Sequence, residues 1–282
     1  MGQQQSCCCT DEDRGEAVFG SKLPINTFPA LQQPQPRTAV NILGGYDEAG
    51  NNPKAVSMMD SKKKTVTTRL PDGSTYKGEI NARGQKHGEG TLQTLQGGTY
   101  TGQFQFDRKE GFGRSTEPSS SKGGFGNAYE GQWKQDRQHG QGTIKWEDGS
   151  IFEGTFANGD KNGEGRFSWA DGSTFSGQFA RNVMNGRGTY KWADSMQYSG
   201  QWSNNVMQGG GEMWWPDGRH FKGQFMNGHS HGEGTMSWPD GREYRGQWAF
   251  GKQHGVGFMT DDKLKISSKT EWNGGVWVRN LA

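Results

Sequence analysis

The 282-residue chain carries 32 Lys and Arg against 30 Asp and Glu, so its net charge is only +2 and no global basic field points to nucleic acid. Hydrophobic residues make up 29% and mean hydropathy is −1.00, too little for a two-layer α/β core. Yet aromatics reach 12%, with 11 Trp and 47 Gly, too many for a disordered chain, so the composition suits a thin structure in which rings cover neighbouring glycines.

The chain opens Met1-Gly2-Gln3-Gln4-Gln5-Ser6, which fits the N-myristoylation pattern at Gly2. Cys7, Cys8 and Cys9 follow at once and are placed for S-palmitoylation, the second signal that one weakly held acyl chain needs. The plainer alternatives are a reactive thiol cluster or a metal site. Adjacent cysteines cannot easily wrap one tetrahedral ion, so residues 1–10 read as an acylation motif. The three cysteines are the only ones in the chain, and a thin β-structure without disulfides points to a reducing compartment. No apolar stretch approaches the roughly 18 residues that span a bilayer, and no secretory leader is visible.

Residues 11–64 are Gln- and Pro-spotted and without period, and they read as a flexible disordered tether. The first sixty residues hold seven acidic and four basic side chains, a net −3. Lys62, Lys63 and Lys64 form the one tight basic run, either merely solvated or lying near an anionic membrane surface.

Residues 65–260 repeat. An aromatic followed by x-Gly recurs at Tyr76, Tyr100, Tyr129, Phe152, Phe175, Tyr198, Phe221 and Tyr244, the last six spaced by 23 residues. A Gly-x-Gly step follows in each unit, as at Gly140 and Gly142. A second aromatic stands at Trp146, Trp169, Trp192, Trp215 and Trp238, mostly before Asp-Gly. Within a unit the period is two: Tyr129, Gly131 and Trp133 share one strand face, while Glu130, Gln132 and Lys134 share the other. Each unit therefore reads as a β-hairpin, with Asp-Gly supplying the positive φ of a tight turn. Val66, Thr68 and Leu70 alternate as an opening strand.

These residues closely resemble the MORN (membrane occupation and recognition nexus) repeat family. Its YxGxW, HGxG and aromatic-x-DG elements stand here as Tyr129-Glu130-Gly131-Gln132-Trp133, His139-Gly140-Gln141-Gly142 and Trp146-Glu147-Asp148-Gly149. The resemblance covers about eight units. It implies an all-β fold, an elongated single-layer twisted antiparallel sheet, and scaffold roles at membranes, the cell cortex and the cytoskeleton. Residues 261–282, with Trp272 to Trp277, form a degenerate ninth unit expected to cap the array. The second unit is long, its excess falling in Ser115 to Lys122.

The expected function is a non-enzymatic, lipid-anchored scaffold at the cytosolic face of the plasma membrane or of a cortical or inner membrane system. The alternatives are a phosphoinositide- or lipid-head-group-associated regulatory module and a soluble cytoskeletal or axonemal assembly protein. The expected partners are proteins, the membrane through the acyl chains, anionic lipids, and a second copy through the terminal repeats, without nucleic acid, metal or other cofactor. The binding face is expected to be aromatic: Tyr129, Trp133, Trp146, Trp169, Trp192, Tyr198, Trp202, Trp215, Trp238, Tyr244 and Trp248, some packed within the sheet and some left available. On the same grounds Trp192→Ala should cost most stability, Gly177→Val less and His139→Asn almost nothing. His87, His139, His231 and His254 share one repeat position, but Glu110, Asn162, Asn185 and Gln208 stand there too, so it reads as a polar turn position. Gly246 to Lys252 imitates a phosphate loop, but no Ser or Thr follows Lys252.

Overall fold

The structure, a computed structural model, describes residues 64–119 and 126–281. Gly2, Cys7, Cys8, Cys9, Lys62 and Lys63 therefore lie outside the described residues, and Lys64 is the exposed first residue of the first strand.

Among the described residues the secondary structure is entirely strand. In chain order the elements are β1 (Lys64–Arg69), β2 (Thr75–Ile80), β3 (Lys86–Gln93), β4 (Thr99–Gln105), β5 (Arg108–Thr116), β6 (Ala128–Lys134) and β7 (Arg137–Lys145). They continue as β8 (Ile151–Ala157), β9 (Asp160–Ser168), β10 (Thr174–Ala180), β11 (Val183–Lys191), β12 (Gln197–Ser203) and β13 (Val206–Trp214). The last are β14 (His220–Met226), β15 (His229–Ser237), β16 (Arg242–Ala249), β17 (Lys252–Asp261), β18 (Ile266–Asn273) and β19 (Val276–Asn280). Each strand pairs antiparallel with the next, giving one open meander with β1 and β19 at its edges. Nineteen strands stand where the eight repeats alone account for sixteen. β1 opens the sheet on Val66 and Leu70, and β18 and β19 continue it past the last complete repeat.

The register explains the glycines. Gly131 pairs with Gly142 inside one hairpin, and Gly142 pairs with Gly154 of the next. The same pairing makes one unbroken row of sixteen glycines across β2 to β17, from Gly78 to Gly257. Over this trough lie the rings. A Cβ on Gly142 would stand 2.5–2.7 Å from the Tyr129 hydroxyl and ring, so that side chain can cross the neighbouring strand only because Gly142 has none.

Sixteen rings then form one herringbone from Tyr76 to Trp272. Successive centroids are 4.9–5.8 Å apart and planes cross at 76–90°, the edge-to-face geometry that aromatic quadrupoles favour. The polar ends are satisfied locally. All eight hairpins carry a bulge between the first-strand glycine and the next inward side chain, a ring in seven of them, as between Gly131 and Trp133, and Ile80 in the first. The residue in that bulge has a carbonyl outside the ladder, and the Tyr129 hydroxyl donates to Gln132 O at 2.7 Å. Tyr76, Tyr100, Tyr198 and Tyr244 repeat this bond at 2.6–3.1 Å. The indoles of Trp133, Trp202 and Trp248 donate to Gly113 O, Gly188 O and Gly234 O.

Two kinds of turn alternate. Between units, the Asp-Gly turns close as expected, with Gly149 at φ 90°. Within seven of the eight units, two-residue turns put both residues at positive φ, as at Gln135-Asp136 (50° and 66°) and Arg181-Asn182 (48° and 71°), whereas the first unit turns through Asn81 to Gln85 with only Gly84 at positive φ. That mirror-image turn matches the right-handed twist of the hairpin, and the twist imposes it even on residues that do not favour it.

Candidate functional site

The inward rings share one face of the sheet, and both rows of turns border it. Its middle is sealed. Tyr129, Trp133, Tyr198, Trp202, Tyr244 and Trp248 are at most 7% exposed, so these six are structural rings and not a surface offered to a partner. The other five proposed rings, Trp146, Trp169, Trp192, Trp215 and Trp238, stand half-buried at the edge of the face. The eleven divide in this way because the first group lies over the glycine trough, while the second precedes the between-unit turns, where the sheet ends.

The edge tryptophans are themselves unequal. Arg219 stacks on Trp215 at 5.3 Å and Arg242 on Trp238 at 5.6 Å, each guanidinium steered by its own turn carboxylate, Asp217 or Asp240. At the equivalent positions earlier in the chain stand Ser150, Ser173 and Met196, so no arginine stacks on Trp146, Trp169 or Trp192. These three continue inward through Phe167 and Tyr190, with centroids 4.4–5.1 Å apart.

The opposite border is a column two residues before each Gly-x-Gly step: Lys86, Lys109, Gln138, Lys161, Met184, Met207, Ser230 and Gln253. It points inward because the bulge pairs it with the ring of the first strand, as Phe156 pairs with Lys161 and Phe179 with Met184. Each unit is also pinned to the one before it. Asp136 Oδ1 accepts the Lys109 amide at 2.8 Å, and Asn182 Oδ1 accepts the Lys161 amide at 2.9 Å. Lys109 Nζ sits 4.6 Å from the Trp133 ring centroid and 4.9 Å from that of Tyr100; Lys161 Nζ sits 5.4 Å from Trp146 and 5.6 Å from Phe152. Burial among the rings pushes both ammonium groups down, that of Lys161 to about 8, and pushes the Tyr76 and Tyr244 hydroxyls up to about 12.

Between the borders, over units two to four, the face hollows into a groove of about 910 Å³ lined by Tyr100, Lys109, Tyr129, Trp133, Trp146 and Lys161, among others. Sequence reasoning missed this lysine column, since a lysine in a strand reads as solvent-facing. Met184 and Met207 at the same repeat position were the available signal.

The histidines sit on separate strands. His87 packs on Phe106 at 5.6 Å and His231 on Phe250 at 5.2 Å, and among the described residues no three His, Cys, Asp or Glu side chains are grouped to hold a metal ion. The segment that imitates a phosphate loop is strand and tight turn, with Gly246 paired to Gly257. Among the described residues no helix is long and apolar enough to cross a membrane.

Among solved structures the chain is similar to the TCP10 domain of Danio rerio CPAP in complex with a peptide of Danio rerio STIL. Identity is 10% over 77% of this chain and 99% of that one, with a TM-score of 0.40. It is similar also to the SAS-4 (dCPAP) TCP domain of Drosophila melanogaster in complex with a proline-rich motif of Ana2 (dSTIL), at 12% identity over 74% and 99%, TM-score 0.36. No curated protein matches the sequence. The MORN repeat family matches eight segments, residues 76–98, 100–120, 129–151, 152–174, 175–197, 198–218, 221–241 and 244–263, each one hairpin of the sheet. With well over half its length so matched, the chain belongs to the MORN repeat family.

Proposed function

We propose that the chain is a non-catalytic scaffold, held at the cytosolic face of a membrane by acyl groups on Gly2 and on Cys7, Cys8 and Cys9, which presents the edge of its ring-bearing face to a protein partner. The observation that carries the scaffold reading is the row of half-buried tryptophans that no arginine covers, Trp146, Trp169 and Trp192, with Trp146 lining a groove in an otherwise sealed face. Large rings at the rim of a concavity supply contact area at small entropic cost. The anchor reading rests on the sequence from Met1 to Cys9 and on the need for two lipids for stable residence. A head-group-binding module has less support, because the inward lysines lie among rings and not on an open basic plane.

The test is proximity labelling from the full chain in cells, with fractionation alongside. Gly2→Ala should move the protein from membranes to the cytosol. Trp146→Ala with Trp169→Ala should leave it on membranes yet strip most of its labelled neighbours. Unchanged fractionation of Gly2→Ala would remove the anchor from the reading, and unchanged neighbours of the tryptophan variant would remove the scaffold surface.

A further inference from the structure

Units six and seven each end in the same three-part arrangement. The Arg219 guanidinium lies 5.3 Å from the Trp215 ring centroid, and its Nε donates to Asp217 Oδ2 at 2.8 Å. Arg242 repeats this on Trp238 at 5.6 Å, with Nε donating to Asp240 Oδ2 at 2.7 Å. In both turns the other carboxylate oxygen, Oδ1, accepts the arginine's own amide. A planar guanidinium is suited to both contacts at once, stacking on an indole and pairing with a carboxylate.

Units four and five carry two of these parts without the third. Trp169 is followed by Asp171 and Trp192 by Asp194, at the spacing of Trp215 and Asp217. Oδ1 again accepts the amide two residues on, from Ser173 at 2.8 Å and from Met196 at 3.0 Å. Both aspartates are exposed, and among the described residues Oδ2 has no partner in either. The two indoles pack on the rings of Phe167 and Tyr190, and among the described residues no cation lies over either. Unit three has the same pair in Trp146 and Asp148, but there Lys161 Nζ already stands 5.4 Å from the indole. The empty places are therefore those of units four and five.

Their spacing selects the shape of what fills them. Tyr190 stands between the two indoles, 5.1 Å from Trp169 and 4.6 Å from Trp192, so they are at most 9.7 Å apart. A polyproline II segment brings every third side chain to the same face, about 9.3 Å on. A β-strand returns after about 6.8 Å and fits less well. Charge agrees: the turns from Ala170 to Ser173 and from Ala193 to Met196 hold two carboxylates and no basic residue.

We propose that the rim at Trp169 and Trp192 receives two arginines of a partner protein, three residues apart in an extended, proline-rich segment. Each guanidinium lies on one indole and pairs with Asp171 or Asp194, as Arg219 and Arg242 do within the chain. The inference rests on reading this rim as the binding edge of the scaffold, and it supplies the chemistry of the partner.

The experiment uses the full-length chain without acyl groups and a fluorescein-labelled PRPPRP peptide, read by fluorescence anisotropy. Saturable binding is expected. The peptide PKPPKP should bind at least fivefold more weakly, because an ammonium neither stacks as a plane nor forks to a carboxylate. Asp171→Asn with Asp194→Asn keeps both Oδ1 acceptors, so the melting temperature should hold while PRPPRP binds at least fivefold more weakly. Met196→Arg, which supplies an arginine from the chain itself at Trp192, should weaken the peptide similarly. Absence of binding, equal binding of the two peptides, or affinity indifferent to both sets of substitutions would overturn the proposal. Should that occur while Trp146→Ala with Trp169→Ala still strips neighbours in cells, the partner chemistry falls and the scaffold reading stands.

Discussion

Lys161 stands where the next two units have Met184 and Met207, and its ammonium is buried with the side chain 6% exposed. Desolvation holds its pKa at about 8, against an ordinary 10.5. The unfolded chain keeps this proton up to the ordinary value while the folded chain releases it from about 8. Folding is therefore penalised below pH 8, and the penalty fades as pH rises from 8 toward 10.5. At about 1.4 kcal/mol per pKa unit the penalty is roughly 3 kcal/mol at neutral pH. Above pH 10 the sign reverses, because the buried hydroxyls of Tyr76 and Tyr244 hold their protons to about 12. Stability should thus climb between pH 7 and 9.5. Lys161→Met should flatten that climb and raise neutral stability by about 1–3 kcal/mol, read from denaturant melts across the range. The gain would come with the loss of a charge that the groove holds at a standing penalty. Nothing local in the sequence shows this column facing inward. A charged strand residue is indistinguishable from a solvated one until the bulge that turns it is known, and the bulge depends on pairing with a strand several residues away.

At the scale of the hairpin, the glycines matter more than the rings that the sequence makes conspicuous. A Cβ on Gly177 would strike the Arg187 carbonyl oxygen and the Gly188 Cα of β11, and would stand 3.0 Å from Phe175 Cζ. Backbone cannot rotate aside as a side chain can, so Gly177→Val must push β10 and β11 apart, at a cost of about 3 kcal/mol or more. Trp192 is only half-buried and leans on Tyr190 at 4.6 Å, so Trp192→Ala should cost about 1–3 kcal/mol. His139→Asn should cost almost nothing, since Asn162 fills the same place one unit on. Reading the rings as the main load put Trp192 first; the pairing puts Gly177 first, and thermal melts of the three variants decide the order. The hairpins themselves were legible, because a 23-residue period and alternation of two cannot be met by helix. The within-unit turns were not. Phe106-Asp107 and Gln135-Asp136 lack the glycine that usually advertises a mirror-image turn, and only the twist of the flanking strands demands it. Equally hidden was the sealing of the middle rings, which follows from how neighbouring units lean over one another.

Over the whole molecule, each strand pairs through its backbone only with its neighbours and reaches the strand beyond only through its rings, and nineteen of them at about 4.8 Å make a ribbon with a contour of about 86 Å. In such an array stability is close to a sum of local terms. Damage should therefore stay where it is made. In Gly177→Val, hydrogen exchange should lose protection in β9 to β12 while β2 to β4 and β15 to β17 keep theirs, and uniform loss would show a cooperative block instead. The sequential order also puts β1 and β19 at opposite edges, with all backbone hydrogen bonds between strands pointing along the ribbon. A pull between the two ends of the chain is then aligned with those bonds and loads only the outermost ladder, so strands peel singly and never shear as a set. Each hairpin that peels frees 23 residues, about 75 Å of slack. Held at one end and hauled from the other, the ribbon would lengthen in steps of that size, limiting the tension it passes on as a mechanical fuse does.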